Sequence, residues 1–391
     1  MQGLEPIPVE VAIFYICVLH AAQEMIFKTI CFILSFLGIA ATGLSRKDLS
    51  KHAVKTIKTE HGAIYDCVDF YKQPAFDHPL LKNHSFHPDM RPSTTTQRIT
   101  NKASWTMKGL NATEADIIPL KYGGCPRGTV PIRRTENKKL RPITTNDDIS
   151  GTVFSLSQTK ITPSNIIYNG VGAVISIYKP RVLTSQYSSG EIIIKGGTDT
   201  IIAGWTVNPN KYSDSETRFF AYTIAGDMHC FNSECGFVLL SSDVPLDALL
   251  KPVSVRGQQI YVNKFFIYRD PTSGNWWLQL GGIEKEPITL GFWPRKIFTG
   301  LQSSGTYAAC GGEVYTIATL PPPEMGTGLF PGPFMGDDAY CTEFVVVDNT
   351  NTIVYATDTD LYTNNDAYGV MDVRSKYHTY HRFPFGGPNP N

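Results

Sequence analysis

Charge is scarce in this sequence. Only 18% of its 391 residues are Asp, Glu, Lys or Arg, and 35 acids balance 35 bases. A balanced chain generates no strong field to draw in nucleic acid or an anionic membrane, so neither is an expected partner. No glycine-rich phosphate cradle occurs, and no GxSxG or reactive-cysteine signature surrounds a serine or cysteine. His229 beside Cys230 is a poor nucleophile pair, because the spacing of "CFNSEC" fits a tight bridge from Cys230 to Cys235. No second Cys or His pair stands at metal-site spacing from these cysteines, so neither metal nor cofactor is expected. Helical periodicity is missing over any long window. Apolar runs long enough to span a bilayer, ~20 residues, are missing too.

What remains is a β-rich texture. Gly (33), Pro (26), Tyr (19) and Phe (21) are plentiful, which suits short strands and turns. From about residue 160 short apolar or alternating runs recur: "GAVISIYKP", "EIIIKGG", "TIIAGWTV", "RFFAYTI", "QIYVNKFFIYRD", "NWWLQL", "TEFVVVD". Turn signals such as "PTSGN" and "DNTN" separate them. The pattern predicts an all-β fold, an antiparallel β-sandwich of two sheets, preceded by a smaller pro-region. Residues 44–61 are polar and Lys-rich with helix-like character. Residues 133–150, with the dibasic pairs Arg133-Arg134 and Lys138-Lys139, read as an exposed linker. The division is a leader over 1–43, a pro-region with linker over 44–150, and a sandwich over 151–391.

Residues 25–43 follow the charge, apolar, small-residue order of a secretory signal, with Met25 a candidate true start; an uncleaved anchor helix is the other reading. The signal predicts a secreted, extracellular protein with no stable membrane anchor. Six cysteines lie beyond the apolar leaders: Cys67, Cys125, Cys230, Cys235, Cys310 and Cys341. An even set in an exported chain suggests disulfides. Asn83 and Asn111 head glycosylation sequons. His78, His84 and His87 cluster in the pro-region, where they either form a switch that charges near pH 6 or are merely exposed.

"DCVDFYKQPAFDHPLLKNH" and "GCPRGTVPIRRT" resemble the pro-region of the plant neprosin family. "AGWTVNPNKY", "DPTSGNWWLQL", "GFWPRKIF", "GGEV", "MGTG" and "FGGP" resemble its catalytic domain. The resemblance implies a secreted, proline-specific endopeptidase of the glutamic type. It also implies a pro-segment packed on its own domain, Cys67–Cys125 and Cys230–Cys235 bridges, and two cooperating glutamates on separate strands. One glutamate falls on Glu313, a lone acid in "ACGGEVYTI". The other, counted three residues before Trp205, falls on Ile202, which has no donor, acceptor or charge. Thr200 and Gly204 share the face of Ile202 and Asp199 faces away, so no substitute acid is expected there.

Two carboxyls with separated pKa values can both activate water and protonate the leaving nitrogen. A broken pair therefore predicts a weak or inactive peptidase, with Glu313 either a retained cleft carboxylate or a strand acid without a role. A non-catalytic binder of proline-rich peptides or glycans, and a purely structural component, are the alternatives. Trp205, Trp276, Trp277 and Trp293 are either sandwich core or a cleft wall that stacks on proline rings or sugars. Trp276 and Trp277 are adjacent, so one is expected to face outward. Cys310 and Cys341 depart from the family pattern and form either a new bridge or two buried thiols. Ala367 stands where a member of the family's C-terminal cysteine pair is expected.

Overall fold

Runs rich in β-branched and aromatic residues fit a pleated, half-buried surface, and here nearly all of them become strands. The structure, a computed structural model, describes residues 49–93, 112–134, 151–160, 166–234, 236–332, 338–374 and 381–388. The leader, the Asn111 sequon, the Lys138-Lys139 pair and Cys235 lie outside the described residues.

The first sheet is small: β1 (Ala53–Lys58), β2 (Ile64–Asp69) and β5 (Thr129–Arg133), in the order β1-β2-β5. Its first strand corrects the helix-like reading of 44–61 over Ala53–Lys58, while Leu49–His52 forms a short 3₁₀ turn. "AVKTIK" carries Val, Thr and Ile, and it pairs antiparallel with β2 across a turn in which Gly62 takes φ +78°. Cys67 on β2 is bonded to Cys125.

Two larger sheets form the sandwich. One runs β20 (Thr359–Thr363), β6 (Thr152–Thr159), β17 (Tyr307–Tyr315), β8 (Tyr187–Gly196), β9 (Asp199–Val207), β10 (Arg218–Ala225), β13 (Leu249–Lys251) and β4 (Asp116–Ile118), with β11 (Met228–Phe231) beside β10. We call it the floor sheet. The other runs β12 (Val238–Leu239), β16 (Ile288–Trp293), β15 (Trp276–Leu280), β14 (Ile260–Arg269), β7 (Gly170–Ser176), β18 (Tyr340–Val347), β23 (His381–Gly386) and β21 (Gly369–Val370). Beside it lie β3 (Ala112–Glu114), β19 (Ile353–Tyr355) and β22 (Val373–Arg374). Among the described strands every pairing is antiparallel except that of β3 with β14.

Alternation assigns the faces. On the floor sheet Ile192, Ile194, Ile201, Ala203, Trp205, Phe219, Ala308 and Cys310 point into the main core. Ile193, Ile202, Phe220, Tyr222 and Ala309 point to the other face and build a second apolar cluster there. Both faces of these strands are thus covered, which is why "EIIIK" reads as a continuous apolar run.

Segments before residue 150 join the large sheets. β3 adds to β14 and β4 adds to β13, so one short strap borders both layers. Nearby, the Gln73 side chain donates to Leu239 O (3.2 Å) and accepts from Leu239 N (2.7 Å), closing the β12 edge. Arg133 pairs with the buried Asp247 at 2.7 Å. His78 and His84 each accept a backbone N–H at Nδ1, from Leu80 and Phe86. Burial, followed by the Lys296 charge, pulls both imidazoles below the ordinary histidine range. That direction works against the charging near pH 6 that the switch reading needs. His87 is exposed, and so is Asn83 of the first sequon.

Cys310 on β17 is bonded to Cys341 on β18. The two strands belong to different sheets, so the bridge crosses the core. It closes a loop with a sequence separation of 31, and the loop-entropy relation gives about 3–4 kcal/mol for that length. Replacing both cysteines with alanine is expected to lower the unfolding free energy by about that amount. Urea melts with an unchanged slope would verify it, whereas equal midpoints would show that the bridge adds nothing.

Candidate active site

The site lies on the outer face of the floor sheet. Glu313 follows Gly312 in β17, and Glu191 follows Gly190 in β8. In register Glu313 stands opposite Ser189, and Glu191 opposite Gly311. The two acids are therefore diagonal neighbours on adjacent strands and on one face, a relation of ~7–8 Å between backbones that long side chains can span. Both are fully buried.

Their surroundings bias their protonation. Burial pushes the Glu191 carboxyl well above the usual carboxylate range, and the Glu313 charge and a hydrogen bond with Glu313 push it further. Burial also raises Glu313, but hydrogen bonds from Glu191 and Tyr187 pull in the opposite direction. Neither oxygen of Glu191, nor Oε2 of Glu313, meets an ordinary donor among the described residues. Two ionised carboxylates this close offer no donor to each other and repel, so the pair favours holding one proton between them. Glu191, the more strongly raised of the two, is the member that more readily keeps it.

Tyr187 reinforces the split. Its hydroxyl donates to Glu313 Oε1, and burial and the Glu313 charge hold the phenol well above its ordinary range, so it remains a donor. Its ring stacks on Tyr315 with centroids 5.6 Å apart. Ser189 donates to Thr206 (3.0 Å) beside Glu313, which adds hydroxyls to the floor. Lys195, also on this face, favours the ionised form of both acids at longer range.

Glycines make room for Glu191. Its cross-strand neighbours on this face are Gly311 in β17 and Gly204 in β9. A Cβ at Gly204 would stand 2.1 Å from Gly190 O and 2.7 Å from Glu191 Cα. Gly311 takes φ +155°, and a Cβ there would meet Ser155 O at 2.1 Å. This accounts for the first glycine of "GGEV" and the glycine of "GW". Gly204→Ala is expected to cost about 1–3 kcal/mol by overpacking and to displace the Glu191 carboxyl. Activity that survives at the wild-type level would show that the clearance is not needed.

The partner of Glu313 is thus Glu191, which corrects the assignment to Ile202. Glu313 aligns through Ser189 with Thr206, and Ile202 is four residues further along β9. At strand spacing that is ~13 Å along and ~10 Å across, beyond a side chain's reach. Ile202 instead packs fully buried with Tyr212, Phe220, Tyr222 and Phe231. A signal for Glu191 was present: "GEI" at 190–192 and "GEV" at 312–314 share a glycine, a lone acid and a β-branched residue. Asp199 holds loops by accepting from the N–H groups of Gly226, Thr299 and Leu301.

The cleft-wall reading of the tryptophans is also corrected. Trp205, Trp276, Trp277 and Trp293 are all buried in the main core. Trp205 donates to Ser176 O and Trp276 to Leu301 O. Trp277, expected to face outward if Trp276 faces inward, rests against Phe292, and Phe292 is itself covered by Phe86 from the region before the linker. The aromatics on the face of the acids include Tyr187, Tyr222 and Phe220, with Phe154, Tyr315 and Tyr362 among those packed against their cluster. Cys230 is disulfide-bonded, and the expected partner Cys235 lies outside the described residues. Among the described residues no cluster of His, Cys, Asp and Glu is arranged to hold a metal, and no helix is long and apolar enough to cross a membrane.

Two family models match the chain: Neprosin over residues 184–388 and Neprosin activation peptide over 56–155. Among solved structures it is similar to scytalido-glutamic peptidase bound to a transition state analog inhibitor. That likeness has 9% identity, covers 60% of this chain and 98% of the other, and has a TM-score of 0.35. It is also similar to SCP-B, a member of the Eqolisin family of peptidases, in complex with the tripeptide Ala-Ile-His, at 7% identity, 60% and 98% coverage and a TM-score of 0.33.

Proposed function

The chain belongs to the neprosin family, and from that premise we propose that it is a glutamic-type endopeptidase working through Glu191 and Glu313, secreted and directed at proline-containing peptides. The observation that carries this reading is the buried pair of carboxyls that stand diagonally on adjacent strands, on one face of the floor sheet. The inactive reading rested on Ile202, and the placement of Glu191 beside Glu313 speaks against it.

In the proposed mechanism Glu313, ionised and oriented by Tyr187, takes a proton from water. The hydroxide attacks the scissile carbonyl carbon. Glu191, protonated, donates to the carbonyl oxygen as negative charge develops there, the role of an oxyanion-stabilising donor. On collapse the proton held by Glu313 passes to the leaving nitrogen, and the C–N bond breaks. Burial serves both steps, since it keeps Glu191 protonated at a pH where a free carboxyl has ionised. Apolar and aromatic side chains surround the acids on the same face, among them Ile193 and Tyr222, surroundings that suit an uncharged ring such as proline. The disulfides and the signal-like order of residues 25–43 support export.

The experiment is incubation of the full chain, before and after acid treatment, with a quenched peptide containing one proline, followed by mass analysis of the products. Cleavage next to the proline that is lost in Glu313→Gln is the expected result. No cleavage at any pH between 2.5 and 6 would overturn the reading.

A further inference from the structure

A second carboxylate site sits away from the acids, where the strap meets the other sheet. "LQLGG" ends β15 in two glycines that both take positive φ, Gly281 at +68° and Gly282 at +87°. That conformation is open to glycine and strained for other residues. It turns the following N–H groups toward one point. The Glu114 carboxylate occupies that point, accepting from Ile283 N (3.3 Å) at Oε1 and from Glu284 N (2.8 Å) and Lys285 N (3.1 Å) at Oε2. A Cβ at Gly281 would reach Glu114 Oε1 at 3.1 Å, and one at Gly282 would reach Lys264 Nζ at 2.9 Å. The two glycines thus leave space for the anion on one side and the cation on the other.

Lys264 and Glu114 are both buried, with 4% and 5% exposure. Burial pulls the Lys264 ammonium down to about 8, against the opposing pull of Glu114. A lysine so placed has strong need of a counter-charge. The flanks of Glu114 are held in strand fashion: β3 pairs with Ile260–Val262, Ala115 N donates to Val262 O at 2.8 Å, and Asn263 Nδ2 donates to Ala115 O at 3.0 Å. The occupant is an acidic side chain on an extended peptide, bound as an added strand.

We propose that the 281–285 turn and Lys264 form a receptor for the acidic side chain of an extended peptide, filled here by the chain's own Glu114 and open to another such peptide once that segment is displaced. The receptor lies on the sheet opposite the floor and takes no part in the Glu191–Glu313 chemistry, so binding can be read without turnover.

Glu114→Ala in the full chain removes, atom for atom, an acetate. The variant is expected to melt several degrees lower, and acetate or formate is expected to recover about half of that loss or more in a saturable way, as ligand linkage requires. Chloride at equal ionic strength should recover none, and Lys264→Met in the same background should abolish the acetate effect. Recovery equal in chloride, or none with acetate, would overturn the proposal. If Glu114→Ala does not accumulate folded, Glu114→Gln decides. Its amide presents N–H groups to a turn that offers only donors, so melting should fall there too, and an unchanged melting temperature would count against the receptor.

Discussion

Glu191→Gln and Glu313→Gln each leave a folded chain whose peptidase turnover drops by about 10²–10⁴-fold or more, the range expected when one of two cooperating acid–base groups is lost. The double variant should be scarcely worse than either single one, because residues acting as a unit are non-additive. The two changes differ in their effect on stability. The folded-state pKa of Glu191 is raised, by burial first and by Glu313 second. A group raised in this way contributes stability that is present below its unfolded value of about 4.5 and is lost as pH climbs through the folded value. Glu191→Gln should therefore stabilise the chain relative to wild type at pH 7 and have little advantage at pH 3. Thermal melts at both pH values, beside single-turnover assays, test the pair of statements. Glu191→Gln with full activity would remove Glu191 from the mechanism.

Ile202→Glu, the change that would restore a broken pair if the sequence count were right, is expected to add no activity and to destabilise the chain strongly. Ile202 has no exposed surface, and its neighbours Ile193, Tyr212, Phe220, Tyr222 and Phe231 are largely apolar. A carboxylate placed there lacks an opposite charge. The expected cost is on the order of 3–5 kcal/mol at neutral pH, comparable to leaving one buried charge uncompensated, and less in acid where the carboxyl stays protonated. Denaturant melts at pH 7 and pH 4 measure the cost. A gain of peptidase activity in this variant would mean that the β8–β9 register is not the one described.

The fold was legible because short β-branched runs and turn residues recur along the chain, and Glu313 drew attention because a lone acid in "GGEV" stands out. Glu191 was not, for a physical reason. Its strand is covered on both faces, so "GEIIIK" shows no polar–apolar alternation to mark a functional side. Counting back from Trp205 also keeps the search on β9, whereas the acid sits on β8, across the hairpin. Pairing register is a three-dimensional property that one strand's residues do not state. Which of the two readings of the tryptophans holds was not legible for a related reason: adjacency tells which two faces Trp276 and Trp277 occupy, but not that the segment with Phe86 covers the outer one. The helix-like stretch at 44–61 failed on "AVKTIK", where tertiary pairing with β2 overrode local composition.

The Cys310–Cys341 bond has a consequence for where such a protein can work. It fastens the strand of the proposed base to the far layer only three residues from Glu313. In a compartment rich in glutathione that fastening would open, and the placement of the proposed base would loosen with it. On the proposed mechanism, thiol oxidation state and hydrolysis would be joined through a single strand.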